Sequence, residues 1–407
     1  MYAKQLSIYD FKCFGKAKLD LQYPGRRTAG ASEIPNINLI LGDNGGGKSS
    51  VLRALAIAVL APALLSSGFV ANRLVRRAKA PNTHVETALL KVKAQPDAQE
   101  KAFGLKDTFE LLARLHAATR GSRDRLHLDS TPATPISALL DDDYSAAFFL
   151  VGYGATRRVE TADYSESSAR RSRGLRYQRV AGLFEDHVAL RPLNSWLEAL
   201  EPPRFAEAVT LLDDVLPDSI RFEGEYSKED KQYLFDFEGA PTPFTSLSDG
   251  YKAYIGWVGD LIGHLCDVAP REQPLTGVSG IVLVDEIDLH LHPAWQRDAV
   301  PGLSRAFPRL QFVLTSHSPL VASTVKRENV FVTRTAEDGT AAIKQLEEHV
   351  FGRGAEQLLL SAYFGLTTTR GPDFQTEAQD LFKKVAEGDS EAALTYLERL
   401  TGAASSS

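Results

Sequence analysis

Short apolar runs alternate with polar turns along this chain, and three of these runs end in functional side chains. The runs are residues 36–41, 281–284 and 311–315. Runs of this length are typical of strands buried on both faces, as in the parallel part of an α/β sheet. Ligands of such sheets bind beyond the carboxyl ends of the strands, so we expect a binding site where these three runs end.

The remaining segments predict further strands and several helices. No heptad pattern of apolar residues persists between Arg53 and Ser246, which excludes long coiled-coil arms. Strands are predicted at 85–93, 146–151, 329–333 and 340–346, a hairpin at 220–237, and helices at 50–60, 107–118, 192–216 (broken at Pro202-Pro203) and from Ala355, Phe374 and Ser390.

A glycine-rich turn follows the first run and ends in a lysine. Residues 42–49 match G-x-x-x-x-G-K-S, the P-loop, in the strand–loop–helix context that this motif requires. Its main-chain N–H groups and the dipole of the next helix attract phosphate, while Lys48 is expected to reach the β- and γ-phosphates and Ser49 to ligate Mg²⁺. A chance glycine turn is the alternative. The candidate nucleotide-binding residues of the turn are Gly42, Asn44, Gly45, Gly46, Gly47, Lys48, Ser49 and Ser50.

Acidic side chains end the second run, and a histidine follows the third. Asp285 and Glu286 come directly after residues 281–284, and His317 comes shortly after residue 315. Beside a P-loop, Asp285 is expected to hold Mg²⁺, and Glu286 to polarise the attacking water as general base. His317 can sense a γ-phosphate by hydrogen bonding. Solvated acids and a structural histidine are the alternatives.

A serine and a glycine mark the predicted start of another helix, which begins near Gly250 and continues into the uncharged stretch 253–258. Ser248 can cap this helix, and Asp249 places a negative charge at its N-terminus. The functional interpretation is a second anion site at a helix N-terminus, with Ser248 and Gly250 as its residues. The tetrapeptide 247–250 leaves both interpretations open.

Taken in chain order, these segments resemble the motifs of the ABC-type ATPases. Residues 247–250 resemble the signature motif, with Asp249 in place of the usual second glycine, and His317 resembles the switch histidine. The resemblance implies an α/β fold, namely a P-loop NTPase of ABC type with a mixed sheet and an inserted helical lobe. It also implies a homodimer that sandwiches ATP and Mg²⁺ between the P-loop of one copy and the signature of the other.

Further segments narrow the resemblance to soluble RecF-, SMC- and OLD-like ATPases. Residues 285–293 resemble their D-E-x-x-x-x-L-H-P stretch, and residues 6–14 resemble their first strand, with Lys12 as a further nucleotide-binding candidate. Residues 153–157 resemble a segment of bacterial ATP-binding proteins that include the Septu defence ATPase. Gln178 is the candidate for the glutamine of the family's Q-loop. His290 and His292 favour a structural or dimer-contact role over a metal site, since closed zinc sites need about four ligands.

The composition is that of an ordinary globular protein. The chain has 407 residues, a net charge of −6 and 43% hydrophobic residues. Neither this composition nor the net charge indicates a nucleic-acid partner. Cys13 and Cys266 form no disulfide or metal pattern, and no secretory signal is evident, so a cytoplasmic location is expected. Residues 54–71 lack charge, but Pro62 interrupts them, which favours a buried helix over a membrane span.

The order of motifs predicts one composite ATPase domain rather than separate domains. Residues 1–402 would form this domain and 403–407 a tail. No paired-acid cluster after His317 indicates a nuclease domain of the OLD type, so we expect this chain to need a separate effector. The predicted subdivisions are an N-terminal lobe with the P-loop (1–95), an inserted helical lobe (96–245), a region with the signature, the Asp285–Glu286 pair (Walker B) and the switch histidine (246–350), and C-terminal helices (351–402).

An arginine-rich segment between residues 157 and 179 is the candidate contact for DNA or RNA. Arginine neutralises phosphates without reading base sequence, although a charge run is often only a solvated loop. The candidate residues are Arg157, Arg158, Arg170, Arg171 and Arg173.

These expectations favour an ATPase that hydrolyses ATP to ADP and phosphate and closes as a homodimer. The first hypothesis is the ATPase subunit of a bacterial anti-phage defence or repair system that acts with an effector such as a nuclease. The second is a nucleotide-gated scaffold that sequesters a protein effector or toxin without binding nucleic acid. Driving a transporter is disfavoured by residues 291–293, since transporter ATPases usually differ there.

Overall fold

Strands and helices alternate along the chain, as expected for an α/β protein. A computed structural model describes residues 1–26, 34–77, 85–105, 107–119, 121–128, 135–159 and 173–401. The strands are β1 (Tyr2–Phe11), β2 (Phe14–Asp20), β3 (Ile37–Gly42), β4 (Thr87–Gln95), β5 (Phe109–His116), β6 (Arg125–His127), β7 (Leu150–Tyr153), β8 (Arg158–Val159), β9 (Ala189–Leu190), β10 (Ile220–Arg221), β11 (Tyr226–Ser227), β12 (Gln232–Phe237), β13 (Ala240–Pro243), β14 (Gly280–Val284), β15 (Leu310–Thr315), β16 (Val330–Thr335) and β17 (Ala341–Lys344).

The helices range from single turns to one of 20 residues, Asp249–Val268. They are α1 (Lys48–Leu65), α2 (Ala98–Ala102), α3 (Pro135–Asp141), α4 (Leu175–Gln178), α5 (Pro202–Asp213), α6 (Asp249–Val268), α7 (Pro293–Ala306), α8 (Pro319–Ala322), α9 (Ala355–Leu359), α10 (Pro372–Ala386) and α11 (Ser390–Thr401).

Eleven of the strands form one mixed sheet in the order β6-β5-β4-β1-β2-β17-β16-β3-β15-β14-β7. The part from β16 to β7 is parallel, because β3 pairs in parallel with β16 and β15, and β14 pairs in parallel with β15 and β7. The segments after β3, β14 and β15 therefore emerge at the same edge of the sheet. This arrangement confirms the predicted mixed sheet and places the predicted motifs side by side.

Helix α1 packs on the sheet beside the P-loop and is buried over most of its length. Among the described residues, it is the one helix that is long and apolar enough to cross a membrane. However, 72% of its 18 residues are buried inside the molecule. This burial is what the core helix of a globular unit requires.

The predicted strands and helices are confirmed where the spacing of apolar residues along the chain was regular. The strands near residues 85, 329 and 340, the hairpin of β11 and β12 and the last three helices are confirmed. The predicted helix at 107–118 is wrong: β5 buries alternate residues and pairs with β4 along eight positions. Leucine, alanine and arginine are good helix formers, but pairing with a partner strand overrides that weak propensity.

Two further predictions need smaller corrections. The strand predicted at 146–151 begins later, as β7. Helix α5 begins at Pro202, and the segment before it forms two short 3₁₀ turns instead of a helix. Proline suits the first turn of a helix because its missing N–H would have no partner there.

Residues Met1–Ala355 and Glu356–Ser407 form two compact units. The second unit contains α10 and α11, whose Phe382 and Tyr396 rings lie 6.2 Å apart. The division of residues 1–402 into lobes within one domain stays a prediction. The predicted tail, 403–407, lies outside the described residues.

Candidate functional site

The turn between β3 and α1 has the backbone of a phosphate-binding loop. Gly47 has a φ of +95°, which strains any residue with a side chain. A Cβ atom on Gly47 would lie 2.6 Å from Cys13 Sγ and 2.8 Å from the ring of Phe14. The loop is therefore packed tightly against β2 and its preceding turn, and its glycines let the main chain pass where a larger residue would not fit.

Lys48 is the first residue of α1, and its side chain folds back over the loop. Its Nζ donates to the carbonyl oxygens of Gly42, at 2.9 Å, and of Asp43, at 3.1 Å. It also lies 2.7 Å from Nε2 of His317, which accepts when the proton is on Nδ1. Burial lowers the pKa of Lys48, while the nearby carboxylates of Asp285 and Glu286 oppose that shift. The structure thus brings the two predicted phosphate-contacting side chains together.

The carboxylates after β14 are held by a hydroxyl from the neighbouring strand. Thr315 Oγ1 donates to Asp285 Oδ1 at 2.6 Å and accepts from the main-chain N–H of Glu286 at 2.7 Å. Glu286 has a φ of +50°, an uncommon conformation for a residue with a side chain. Sequence reasoning missed Thr315, although its position one residue before Ser316-His317 was a usable signal.

Arg157 anchors the same loop from the other side. Its Nη1 donates to the carbonyl of Asp285 at 3.0 Å, and its Nη2 to the carbonyl of Glu286 at 2.7 Å. Burial is the main cause that lowers the pKa of Arg157, to about 10. Only 8% of this residue is exposed, so it is poorly placed to contact a nucleic acid.

The main chain of His317 is fixed by Asp288, whose two carboxylate oxygens lie 3.3 and 3.4 Å from the His317 nitrogen. His292 is the N-cap residue of α7, and its Nδ1 accepts from Ala294 at 3.3 Å. Both residues belong to the 285–293 stretch, which therefore ties the end of β14 to the end of β15 and to α7.

The predicted signature lies at the N-terminus of α6. Ser248 is the N-cap residue, but its hydroxyl makes no capping hydrogen bond and is exposed. A Cβ atom on Gly250 would lie 2.2 Å from the carbonyl oxygen of His290. The helix start is therefore pressed against the loop after β14, and an open pocket there is lined by Arg157, Arg158, Phe244, Asp249, Lys252 and His290.

Two other candidates have clear positions. Lys12 has a φ of +53°, and its N–H donates to the Leu74 carbonyl at 2.7 Å. Burial and the nearby Arg53 lower its pKa, and its neighbour Cys13 touches the P-loop. Gln178 ends α4, and its side-chain amide donates to the Arg173 carbonyl at 2.8 Å.

The arginines of the predicted nucleic-acid contact that the structure describes differ in their exposure. Arg157 is buried, and Arg173 forms an ion pair with Glu185 at 2.7 Å, so the hypothesis of a direct DNA contact is wrong for Arg157. The physical reason is that the main-chain carbonyls after β14 already accept from the two terminal nitrogens of Arg157. Arg158 is exposed. Arg170 and Arg171 lie outside the described residues.

Two protein-family models match parts of this chain. Residues 153–323 match the family described as "AAA domain, putative AbiEii toxin, Type IV TA system". Residues 5–67 match a second family described as an AAA domain. The two matched ranges contain the P-loop, the signature, the carboxylates and His317.

A solved structure shows the fold. The Smc head domain with an extended coiled coil bound to the C-terminal domain of ScpA, derived from Pyrococcus furiosus, superposes with a TM-score of 0.50. It is 13% identical and covers 85% of this chain and 96% of that chain. The fold is therefore that of an SMC head domain.

Among curated proteins, the chain is related to the Septu protein PtuA of Bacillus mycoides (strain KBAB4). The two are 24% identical over 90% of this chain and 45% of that protein. The Retron Vc95 probable ATPase of Vibrio cholerae serotype O1 biovar El Tor is 47% identical over 23% of this chain and 18% of that protein. The chain thus spans less than half the length of these relatives.

Proposed function

We propose that this protein binds and hydrolyses ATP and works as a dimeric clamp. The observation that carries the proposal is the convergence of three strand ends. Lys48 meets His317 at 2.7 Å, and Thr315, two residues before His317, holds the Asp285 carboxylate at 2.6 Å. A lysine, two carboxylates and a histidine around a glycine-rich loop are the side chains that phosphoryl transfer requires.

Each side chain has a role that follows from its position. The P-loop N–H groups, Lys48 and Lys12 bind phosphate oxygens, and Gly42, Asn44, Gly45, Gly46, Gly47 and Ser50 shape the loop. Glu286 takes a proton from the attacking water, and His317 senses the γ-phosphate.

The donor set also fits Mg²⁺, which binds one or two protein oxygens and completes its shell with phosphate and water. Ser49 and Asp285 would hold it. When bound, the ion offsets negative charge on the phosphates, while Thr315 keeps the Asp285 carboxylate in a fixed orientation.

The clamp itself rests on the exposed serine at the start of α6. Ser248 is exposed with its hydroxyl unused for capping, and the N-terminus of a 20-residue helix attracts anions. In the proposed dimer, Ser248 and Gly250 of one copy contact the γ-phosphate that is held by the P-loop of the other.

The similarity to PtuA and to a retron ATPase supports a place in bacterial anti-phage defence. We propose that the protein is the ATPase subunit of such a system and acts on DNA with a separate effector, such as a nuclease, in the cytoplasm. A second candidate is a nucleotide-gated scaffold that holds a protein effector or toxin without touching nucleic acid. The burial of Arg157 and the pairing of Arg173 favour this second candidate.

ATP turnover with and without double-stranded DNA tests both candidates. Lys48→Ala should reduce turnover by on the order of 10²-fold or more, because it removes a preorganised charge at the phosphates. Lys16→Ala, an exposed lysine on β2, is the matched control and should leave turnover unchanged. Undiminished hydrolysis by Lys48→Ala would refute the P-loop assignment.

The response to DNA separates the two candidates. Stimulation that weakens as salt rises, as phosphate contacts require, supports the DNA-acting clamp. Turnover that is indifferent to DNA, with Glu286→Gln as the blank, supports the scaffold.

A further inference from the structure

Arg157 is a buried cation whose hydrogen bonds go to main-chain oxygens. Its Nη1 donates to the carbonyl of Asp285 at 3.0 Å, and its Nη2 donates to the carbonyl of Glu286 at 2.7 Å. A guanidinium is planar and rigid, so its two terminal nitrogens fix the two carbonyls relative to each other. One side chain thus holds the main chain of both residues whose carboxylates follow β14.

The conformation of Glu286 explains why its main chain needs support. Its φ is +50°, and a residue with a side chain persists there only where its surroundings fix it. The N–H of Glu286 donates to Thr315 Oγ1 at 2.7 Å, while its carbonyl accepts from Arg157. Side chains from two separate segments therefore hold the two ends of this one residue, and together they set the direction of its side chain.

The loop between Glu286 and the start of α6 is short and folded on itself. The Glu286 carbonyl also accepts from the N–H of Leu289 at 3.0 Å. Beyond that turn, the His290 carbonyl lies where a Cβ atom on Gly250 would approach it to 2.2 Å. The loop is therefore held by Arg157 at one end and pressed against the start of α6 at the other.

The choice of main-chain partners leaves the nearby carboxylates available. Burial is the main cause that lowers the pKa of Arg157, and the carboxylates of Asp285, Asp288 and Glu286 oppose that shift. The guanidinium therefore lies near three negative charges. Because its hydrogen bonds go to carbonyls, it supports these carboxylates without competing with a metal ion or a water molecule for their oxygens.

We propose that Arg157 is a positioning residue for ATP hydrolysis, and that it acts by fixing the main chain of Glu286. This inference rests on the proposed function, in which Glu286 is the general base. Displacing a reacting group by about 1 Å is enough to slow a reaction by on the order of 10²-fold. The arginine that the sequence presents as a candidate phosphate contact thus acts on the protein's own catalytic loop.

Steady-state kinetics of Arg157→Met tests this role. The kcat should fall by about 10²-fold, because the carboxylate of Glu286 loses its fixed direction. The KM for ATP should change by less than about threefold, because the P-loop and Lys48 are untouched. Calorimetric titration with a non-hydrolysable ATP analogue checks the affinity. Arg125→Met, an exposed arginine on β6, is the control and should keep the wild-type kcat.

Arg157→Lys is the conservative variant. Lysine keeps the positive charge but has no fork that can hold two carbonyls at once, so its kcat should lie between those of wild type and Arg157→Met. If Arg157→Met does not fold, the lysine variant decides the question. A lower kcat at unchanged ATP affinity supports the role, and an unchanged kcat refutes it.

A double variant shows whether Arg157 acts through Glu286. Residues that act as a unit are not additive, so adding Arg157→Met to Glu286→Gln should lower the residual turnover by less than about twofold. A further loss as large as the one that Arg157→Met causes in the wild type would mean that Arg157 acts by another route.

Hydrogen–deuterium exchange gives a measurement that needs no turnover. Without nucleotide, the amides of residues 286–291 should exchange severalfold faster in Arg157→Met than in wild type, because local opening becomes easier. If wild-type protein hydrolyses no ATP, the proposed function fails, and the exchange rates still show whether Arg157 holds the loop.

Three results would overturn the inference. They are a wild-type kcat in Arg157→Met, unchanged exchange of residues 286–291, and a parallel loss of kcat, ATP affinity and melting temperature. The last result would show that Arg157 supports the fold in general, with no particular effect on Glu286.

Discussion

At the scale of single residues, the candidate site depends on polar groups that the sequence motifs did not include. Thr315 is fully buried, and its one hydroxyl both donates to Asp285 and accepts from Glu286. The motifs identify which carboxylates are present, but this hydroxyl determines how they are oriented.

We expect Thr315→Val to destabilise the protein by about 1–3 kcal/mol, because it leaves a buried carboxylate oxygen and a buried N–H without a partner. The two side chains have nearly the same shape, so packing is preserved. ATP turnover should fall at the same time, since the loop that carries Glu286 loses its support. Urea unfolding and steady-state turnover measure the two effects.

Thr315→Ser is the matched control, since it keeps the hydroxyl and removes only a methyl group. It should retain most of the turnover that valine loses. Equal losses in the serine and valine variants would mean that the methyl packing, and not the hydroxyl, is what matters.

The arginines between residues 157 and 179 also differ in whether their side chains are buried or exposed. Arg157, Arg176 and Arg179 are buried, whereas Arg158 is exposed. In the sequence they form one basic run, because charge pattern alone does not show which guanidinium groups meet carbonyls.

At the scale of elements, the start of α6 and the loop after β14 act as one assembly. The main chain of His290, with a φ of +65°, approaches Gly250 so closely that a side chain there has no space. Gly250 therefore has a packing role in its own chain, and the same contact places the predicted signature beside the Asp285–Glu286 loop.

We expect Gly250→Ala to destabilise the protein by about 1–3 kcal/mol, because its Cβ would lie 2.2 Å from a main-chain oxygen that cannot swing aside. Differential scanning calorimetry measures the loss. A stability equal to wild type would show that the start of α6 is free to move away from His290.

Gly302→Ala is the control for this experiment. Gly302 lies inside α7, and a Cβ there would meet no atom within 4 Å. The substitution should be neutral or stabilise by up to about 1 kcal/mol, because alanine is the better helix former.

At the scale of the whole molecule, the proposed clamp needs a second copy. One chain carries the P-loop and the α6 N-terminus, and in the proposed clamp each would serve a different nucleotide. Blocking hydrolysis should therefore trap the closed dimer.

We expect Glu286→Gln to form an ATP-bound dimer, because the amide keeps the shape of the side chain but cannot accept the proton from water. Light scattering with saturating ATP and Mg²⁺ should report twice the monomer mass. Glu272→Gln, an exposed glutamate, is the control and should turn ATP over normally. A monomeric mass for Glu286→Gln at saturating ATP would contradict the clamp.

The sequence by itself determined the P-loop, the two carboxylates, the histidine and the parallel strands that precede them. These are local patterns, in which an apolar run and the turn after it are specified by neighbouring residues. The edge of the sheet at which they meet then follows from the parallel arrangement.

Only the tertiary structure decided the rest. It made residues 109–116 a strand, placed the Thr315 hydroxyl between two carboxylate-bearing residues and turned Arg157 into an anchor for their carbonyls. Each of these depends on contacts between residues far apart in the chain. Propensity and charge pattern carry no information about such partners, because burial and hydrogen bonding are fixed by packing in three dimensions.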